Sequence, residues 1–251
     1  MSKTRIEWVR NFDRTQGWTV NPVKGLCPMA CPYCYARRMY KRFKWNPEIR
    51  FEDDVLYSGL PLVGKDGDRY FVGSTIELFG DWIQDSWLKD IFEWTQLYPN
   101  RTFIFLTRQP QELIKWSPFP ENCWVGMTLT DRHFANNARQ FLLGVAAKVK
   151  FLSLEPLLGH MDGWALANAI HLADWLIIGQ QTPVSAKTQP KIEWIREIVE
   201  AADKAGIPVF LKDNLMPIFQ RGDIWAIPEW ASFNDWTKQD IGTTLRQEMP
   251  K

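Results

Sequence analysis

Three of the four cysteines in this chain lie within the eight residues CPMACPYC, at positions 27, 31 and 34. The spacing Cys-x3-Cys-x2-Cys places three thiols on one loop, and thiolates are the usual ligands of iron–sulfur clusters. Three protein ligands leave one iron of a [4Fe-4S] cluster open. The loop therefore predicts a [4Fe-4S] site ligated by Cys27, Cys31 and Cys34.

A zinc site is an alternative interpretation of the same loop, and three unconnected buried cysteines are another. Structural zinc takes four tetrahedral ligands, usually as two pairs, so Cys123 or a histidine would have to complete the site. Cys123 opens a predicted strand, which places it at the opposite end of the sheet from the loop, and its expected role is in the core. The histidines, His133, His160 and His171, show no pairing at ligand spacing.

The fold that must position this loop is predicted from hydrophobic periodicity. Runs rich in β-branched and aromatic residues predict seven strands, at 18–23, 69–74, 102–107, 123–129, 150–154, 174–179 and 207–212. Between them, 86–98 and 191–206 have helical periodicity, and Gly206 is a natural helix C-cap with Pro208 just beyond. A helix is also expected to begin near Ala36. The alternation predicts an α/β fold with a parallel sheet, either open or curled into a barrel.

Composition limits the class of protein. The chain has 251 residues, of which 45% are apolar and 24% charged, and its net charge of +1 gives no global attraction to nucleic acid or membrane. We expect a single domain over 1–251, with 213–251 as a C-terminal cover or lid. Its longest apolar runs are interrupted by polar residues, so no membrane span is predicted. The first residues contain no apolar signal region, which predicts a cytoplasmic protein with reduced thiols.

Two charged residues stand directly after predicted apolar strands. They are Glu155 in SLEP and Lys212 in FLKD, and the C-terminal ends of parallel strands are where α/β folds place their chemistry. Burial of an unpaired charge is costly. Each residue is therefore expected to meet a ligand, a solvated cavity or the other residue, and a structural salt bridge is the alternative to a catalytic role.

The cysteine loop resembles that of the radical S-adenosylmethionine (radical SAM) superfamily, in which an aromatic residue such as Tyr33 often precedes the third cysteine. Further segments are similar, in this order, to a phage and prophage branch of radical SAM-like proteins that is itself similar to spore photoproduct lyase. They read NPVKGLCPMACPYCYARRM, YFVGSTIELFGDW, FIFLTRQPQEL, FLSLEPLLGHMD and DWLIIGQQ. The resemblance implies a partial (β/α)6-type barrel, here with an additional strand and a C-terminal covering tail.

The resemblance also implies an activity. Such an enzyme uses its [4Fe-4S] cluster to cleave S-adenosyl-L-methionine (SAM), and the resulting 5′-deoxyadenosyl radical abstracts hydrogen from a substrate. Phage kinship favours a nucleotide or nucleic-acid substrate. The alternative is a non-catalytic iron–sulfur or zinc protein with a structural cysteine site, acting as a nucleic-acid-binding or partner-binding module.

Cofactor contacts are implied after the second predicted strand, where the superfamily binds the SAM amino group. In this chain the segment contains Gly73, Ser74, Thr75 and Glu77. The superfamily usually has two glycines and a glutamate here, so the atoms that hold the amino group differ. A capped strand-to-helix turn is the structural alternative.

Further SAM contacts are expected at the ends of the fourth and fifth strands. Thr128 and Thr130 face one way and Leu129 the other, so at most one of the two threonines is expected to hold a ribose hydroxyl, and Ser153 is a further contact. Strand six of the phage branch ends in glycines and a glutamate, whereas this chain has Gly-Gln-Gln at 179–181. This departure indicates an altered substrate pocket or lost activity.

A basic stripe is predicted on the helix that follows the cysteine loop. It comprises Arg37, Arg38, Lys41, Arg42 and Lys44. The stripe would dock an acidic flavodoxin- or ferredoxin-type electron donor or a nucleic-acid phosphate backbone. A solvated helix face is the plain alternative.

Overall fold

The computed structural model describes residues 1–57, 62–161, 163–221, 224–225, 227–232 and 244–250. Its strands are β1 (Ser2–Lys3), β2 (Trp18–Val20), β3 (Val23–Lys24), β4 (Arg50–Phe51), β5 (Arg69–Val72), β6 (Thr102–Thr107), β7 (Cys123–Thr128), β8 (Val149–Leu154), β9 (Trp175–Ile178), β10 (Val209–Leu211), β11 (Gln220–Arg221) and β12 (Ile224–Trp225). Its α-helices are α1 (Tyr35–Phe43), α2 (Asp54–Tyr57), α3 (Asp85–Gln96), α4 (Arg132–Leu143), α5 (Gly163–Ile170) and α6 (Ile192–Ala205).

A mostly parallel central sheet of eight strands organises this mixed α/β fold. The strand order is β1-β2-β5-β6-β7-β8-β9-β10, and β1 is antiparallel to β2. The pairs β2–β5, β5–β6, β8–β9 and β9–β10 are parallel. All seven predicted strands are confirmed, as is the α/β class. Strand β1 is not among them because two residues carry no detectable alternation.

The first predicted strand, 18–23, is shorter in the structure. It leaves the sheet after Val20, just before Pro22, which has no N–H to donate to a ladder. Val23–Lys24 pairs instead with Arg50–Phe51 in a separate two-stranded ladder. The cysteine loop therefore begins from this small ladder and not from the central sheet.

The described chain divides into two compact units. The first comprises 1–126 and 145–148. Its core packs one face of β5 and β6 against α3, because alternate strand residues and helix residues at i, i+3 and i+4 are apolar. The buried side chains of this core include Tyr70, Val72, Phe103, Phe105, Leu88, Ile91 and Phe92.

The second unit comprises 127–144 and 149–251. Its core includes alternate residues of β8, β9 and β10 and residues of α5 and α6. The predicted cap of α6 is confirmed: Gly206 has a φ of 71°, in the left-handed region that glycine tolerates. None of the described helices reaches the length and apolarity that a bilayer crossing requires.

The predicted single domain stays a prediction. Much of the predicted C-terminal cover, 213–251, lies outside the described residues. Its described part includes a 3-10 helix at Asp213–Phe219. Further along, Leu245 is buried in the core of the second unit.

Candidate functional site

The cysteine loop lies between β3 and α1, and the helix holds it at several points. The hydroxyl of Tyr40 accepts the N–H of Gly25 at 2.7 Å, and the Arg37 guanidinium donates to the Cys27 carbonyl at 2.6 Å. At the end of the loop, Cys34 is the N-cap of α1 and its Sγ accepts the Arg37 N–H at 3.5 Å. The loop is thus fixed by the first turns of the helix.

The three loop thiols are free and half-buried, and Cys31 interacts electrostatically with both Cys27 and Cys34. Burial raises the pKa of Cys27, although the Glu77 backbone N–H opposes this shift. Burial also raises the pKa of Cys31, where the positive charge of Arg108 opposes it and the neighbouring Cys34 adds to it. Neighbouring thiolates repel one another, so their deprotonated forms favour a bound cationic centre.

The donor set fits an iron–sulfur cluster in its chemistry. Among the residues that the structure describes, no group of three or more His, Cys, Asp or Glu side chains is arranged to hold one metal ion. A structural zinc ion takes four ligands around one centre, whereas cysteine ligands of a [4Fe-4S] cluster bind different irons. The three half-buried thiols on one loop are ligands of the type that such a cluster takes.

Arg108 joins the loop to the end of β6. Its guanidinium lies over the Tyr33 ring, 5.5 Å from the ring centre, and its backbone N–H donates to Glu77 Oε2 at 2.7 Å. The Tyr33 hydroxyl oxygen is buried and has no hydrogen-bond partner among the described residues. Arg108 is not among the site residues predicted from the sequence. Its position directly after an apolar strand is the signal that identifies it.

The segment after β5 lies beside the loop. Gly73 has a φ of 75°, and a Cβ there would come within 2.4 Å of Leu78. The Ser74 hydroxyl donates to the Asn21 side-chain oxygen at 3.1 Å, and the Tyr35 hydroxyl donates to the Ser74 carbonyl at 2.5 Å. The first residue of α1 therefore holds this predicted cofactor segment against the cysteine loop.

Glu77 is buried and strongly hydrogen-bonded. Its Oε1 accepts from the Phe79 N–H and the Thr107 hydroxyl, and its Oε2 accepts from the Arg108 N–H, at distances of 2.7 to 3.0 Å. Burial raises its pKa, and these donors oppose the shift. A carboxylate has about four acceptor positions, and three of those of Glu77 are used here. Thr75 is half-buried, and the assignment of this segment to SAM stays a prediction.

Glu155 and Lys212 form an ion pair in the second unit. Gly179 lies between them in the sheet, and a Cβ there would meet Lys212 Cδ at 2.9 Å and Glu155 Cδ at 3.3 Å. Of the outcomes predicted for these residues, the structure shows the mutual pair. Their predicted catalytic role stays a prediction.

The predicted ribose contacts are buried near the ends of β7 and β8. Leu129 packs in the core of the second unit, and Thr128 and Thr130 are buried on either side of it in the sequence. Ser153 is fully buried, and its Oγ has no partner among the described residues. Their contacts with SAM stay predictions.

Gln180 lies in the segment 179–181, where the chain departs from the phage-branch pattern. Its carbonyl accepts the Asn214 side-chain N–H at 2.8 Å, and its own N–H donates to the Asn214 side-chain oxygen at 3.3 Å. Gln180 thus ties the segment after β9 to the segment after β10. Both of these bonds use the Gln180 backbone, whereas its side-chain amide donates to the Asn214 carbonyl and gives the glutamine itself a structural role.

The fourth cysteine is a core residue, as predicted. Cys123 is buried beside α3, with its Sγ 3.4 Å from Thr95 Oγ1. Burial raises its pKa to about 12. A thiol with this pKa is almost entirely protonated at neutral pH and is a poor metal ligand.

The predicted basic stripe is largely exposed on α1. Arg38, Lys41, Arg42 and Lys44 are exposed, whereas Arg37 is half-buried. The Arg37 guanidinium is bound to the Cys27 carbonyl, so this residue acts in the loop as well as in the stripe.

These features define a mixed α/β protein with three accessible thiols on a loop that is fixed to a basic helix. Residues 3–223 match the family described as "Protein of unknown function (DUF5131)", and the chain belongs to that family. No curated protein and no solved structure is significantly similar to the chain.

Proposed function

We propose that this chain is a radical SAM enzyme in which Cys27, Cys31 and Cys34 hold a [4Fe-4S] cluster. The observation that carries the proposal is the set of three half-buried, electrostatically interacting thiols on one loop. The proposal takes the sheet to be a partial (β/α)6-type barrel, as the resemblance implies. It also assumes a cytoplasmic location, where such thiols stay reduced.

The bound groups would supply one-electron cleavage of SAM into methionine and a hydrogen-abstracting 5′-deoxyadenosyl radical. The residues of the chain supply position and charge. Arg108 offsets negative charge at Cys31, and Arg37 fixes the Cys27 carbonyl through its hydrogen bond. These contacts come from the chain itself and fix the loop that carries the thiols.

The segment 73–77 supports the same proposal. The Tyr35–Ser74 hydrogen bond and the Glu77 N–H at the Cys27 thiol place this segment against the loop. Hydroxyl and carboxylate oxygens can accept hydrogen bonds from an amino group. We therefore assign the SAM amino group to Ser74, Thr75 and Glu77.

In the second unit, the proposal assigns a catalytic role to Glu155 and Lys212 and a ribose contact to Thr128 or Thr130. Ser153 is a further SAM contact. Lys212 Nζ donates to the Glu155 carboxylate, so the pair holds a proton at the ends of β8 and β10. Such a pair can donate and accept hydrogen bonds without adding net charge.

The substrate class and the electron donor belong to the proposal as well. Resemblance to the phage branch favours a nucleotide or nucleic acid, and exposed cations on α1 would attract either phosphate or an acidic flavodoxin or ferredoxin. Neither partner is needed for the first test.

That test is anaerobic reconstitution with iron and sulfide, followed by addition of dithionite and SAM. We expect a brown protein with about four irons per chain. After addition of dithionite and SAM, mass spectrometry should detect 5′-deoxyadenosine. Colourless protein that retains one zinc would overturn the proposal in favour of a metal-binding module. The Cys123→Ala variant is the matched control and should behave like the wild type.

A further inference from the structure

The end of α1 carries two aromatic rings that stack on the surface. Phe43 ends the helix, and the ring of Trp45 lies against it with centroids 5.5 Å apart and planes 23° apart. Phe43 is 51% exposed and Trp45 is 42% exposed. We call this pair the Phe43–Trp45 platform.

The backbone around the platform is built to hold it. Lys44 lies between the two rings in the sequence and has a φ of 51°. This is the left-handed region, which is energetically unfavourable for a residue with a Cβ. The Trp45 N–H donates to the Tyr40 carbonyl at 3.3 Å, which turns the chain back toward the helix. The edge of the Tyr40 ring also braces Trp45, with centroids 5.3 Å apart. These contacts with Tyr40 thus fix the position of Trp45 beside Phe43.

Positively charged residues lie next to the platform in the sequence. No acidic residue occurs between Tyr35 and Pro47. Lys41, Arg42 and Lys44 are exposed, and none of the three has an ion-pair partner in the part of the chain that the structure describes. The Arg42 guanidinium lies 5.3 Å from the centre of the Phe43 ring. Flat apolar surface and unneutralised cations therefore meet at one place.

Single-stranded nucleic acid matches both features. Its unpaired bases offer flat faces that stack on aromatic rings, and its phosphates pair with cations. A duplex hides its base faces, and an acidic protein would satisfy the cations without a flat partner for the rings.

We propose that the Phe43–Trp45 platform and the adjacent Lys41, Arg42 and Lys44 bind single-stranded nucleic acid, with a base stacked on the rings and phosphates on the cations. This binding site needs no iron and no SAM, so it goes beyond the proposed radical chemistry and can be tested separately from it.

The experiment measures fluorescence anisotropy of a fluorescein-labelled oligothymidylate of about 15 nucleotides, with the full chain both as purified and after reconstitution. A duplex of the same length and an abasic strand of the same length are the comparison ligands. Trp45→Leu keeps apolar bulk but removes the flat ring, and should weaken binding of the oligothymidylate by roughly 5- to 150-fold. Trp45→Phe should retain most of the affinity.

The abasic strand isolates the stacking contribution. Wild type should bind it more weakly than oligothymidylate, while Trp45→Leu should bind both alike. Lys41→Gln and Arg42→Gln should each reduce the slope of log affinity against log salt by about 0.7. These charge variants keep both rings and therefore change only the phosphate contacts. Circular dichroism of each variant, compared with that of the wild type, identifies any fold defect.

A matched control is Tyr57→Ala. Tyr57 is also an exposed aromatic residue, at 53%, but it lies near the carboxylates of Asp90, Glu93 and Asp53. This variant should bind oligothymidylate like wild type. The proposal is overturned if wild type fails to bind oligothymidylate, or if folded Trp45→Leu binds it as tightly as wild type. It is also overturned if an acidic flavodoxin fully displaces oligothymidylate while Trp45→Leu leaves the affinity for oligothymidylate unchanged. In that case the surface is a protein-binding site.

Discussion

Glu155 and Lys212 pair across an intervening strand, since β9 lies between β8 and β10 in the sheet. The pair is possible because Gly179 follows β9 at this level and presents no side chain. Glu155 keeps 23% of its side chain exposed and Lys212 keeps 13%. A charge pair this poorly solvated depends on both members being present.

Removal of one member should therefore cost more than removal of both. Lys212→Met leaves a poorly solvated carboxylate, and we expect this substitution to lower the free energy of unfolding by about 2 kcal/mol. The loss is smaller than for a fully buried pair because some solvent reaches the two side chains. Glu155→Gln combined with Lys212→Met removes the charge imbalance and should recover most of the loss. Urea unfolding of the four proteins of this cycle measures the coupling. Additive losses would show that the pair contributes no interaction energy.

Gly179 offers a second way to separate pairing from charge. Gly179→Ala keeps both charges but places a methyl group against the Lys212 and Glu155 side chains. Because both side chains are flexible, we expect a small loss of unfolding free energy, about 1 kcal/mol or less, and displacement of the pair. If Gly179→Ala lost as much as Lys212→Met, backbone strain and not the pair would explain the glycine.

The sequence predicts this part of the fold unevenly, for a physical reason. Alternation and a C-terminal glycine are local signals, so the strands and the cap at Gly206 are predicted correctly. Contacts between distant segments depend on the order of strands in the sheet, which local patterns do not specify. For Glu155 and Lys212, the sequence predicts three possible surroundings, of which the mutual ion pair is one. The position of Arg108 over the Tyr33 ring is visible only in the structure.

Cys34 is both a predicted iron ligand and the N-cap of α1, and two substitutions separate these roles. Cys34→Ser restores a good capping side chain without a thiolate, whereas Cys34→Ala removes both functions. We expect both variants to lose the reconstituted iron. Only Cys34→Ala should lower the stability of the metal-free protein. The loss should be at most about 1 kcal/mol, because the hydrogen bond to the thiol is long, at 3.5 Å.

Iron and sulfide assays combined with urea unfolding test this prediction. Full iron content in Cys34→Ser with unchanged visible absorbance would assign Cys34 to capping alone. Cys27→Ala and Cys31→Ala should lose iron in the same way and serve as positive controls.

Cys123 should make the folded protein sensitive to alkaline pH. Its pKa is raised to about 12 by burial, whereas an unfolded cysteine titrates near 8.5. Between these values the unfolded chain has released the thiol proton and the folded chain retains it, so the free energy of unfolding falls as pH rises through this window. Below about pH 8.5 this contribution to stability is fully present.

Unfolding measured from pH 7 to pH 11 should therefore show a steeper alkaline loss for wild type than for Cys123→Ala. Thiol alkylation gives an independent readout. At neutral pH the metal-free folded protein should react at its three loop cysteines, and the fourth should react only after unfolding in urea. Rapid modification of Cys123 in the folded protein would contradict its buried, protonated state.

Ser74 offers the cleanest test of the proposed SAM site, because its side chain has a simple hydrogen-bond role. Its hydroxyl donates to Asn21, while Glu77 accepts three hydrogen bonds, two from backbone N–H groups and one from the Thr107 hydroxyl. Ser74→Ala should weaken SAM binding to the reconstituted protein by about tenfold, the effect of one lost hydrogen bond near 1.4 kcal/mol, with little change in stability. Glu77→Ala should weaken binding and also destabilise the fold.

Isothermal titration calorimetry measures the affinities. Ser185→Ala is the control that should bind SAM normally, because the Ser185 hydroxyl accepts the Lys187 N–H within its own turn. Equal SAM affinity in wild type, Ser74→Ala and folded Glu77→Ala would place the amino-group contacts outside this segment, although the cysteine loop could still hold iron.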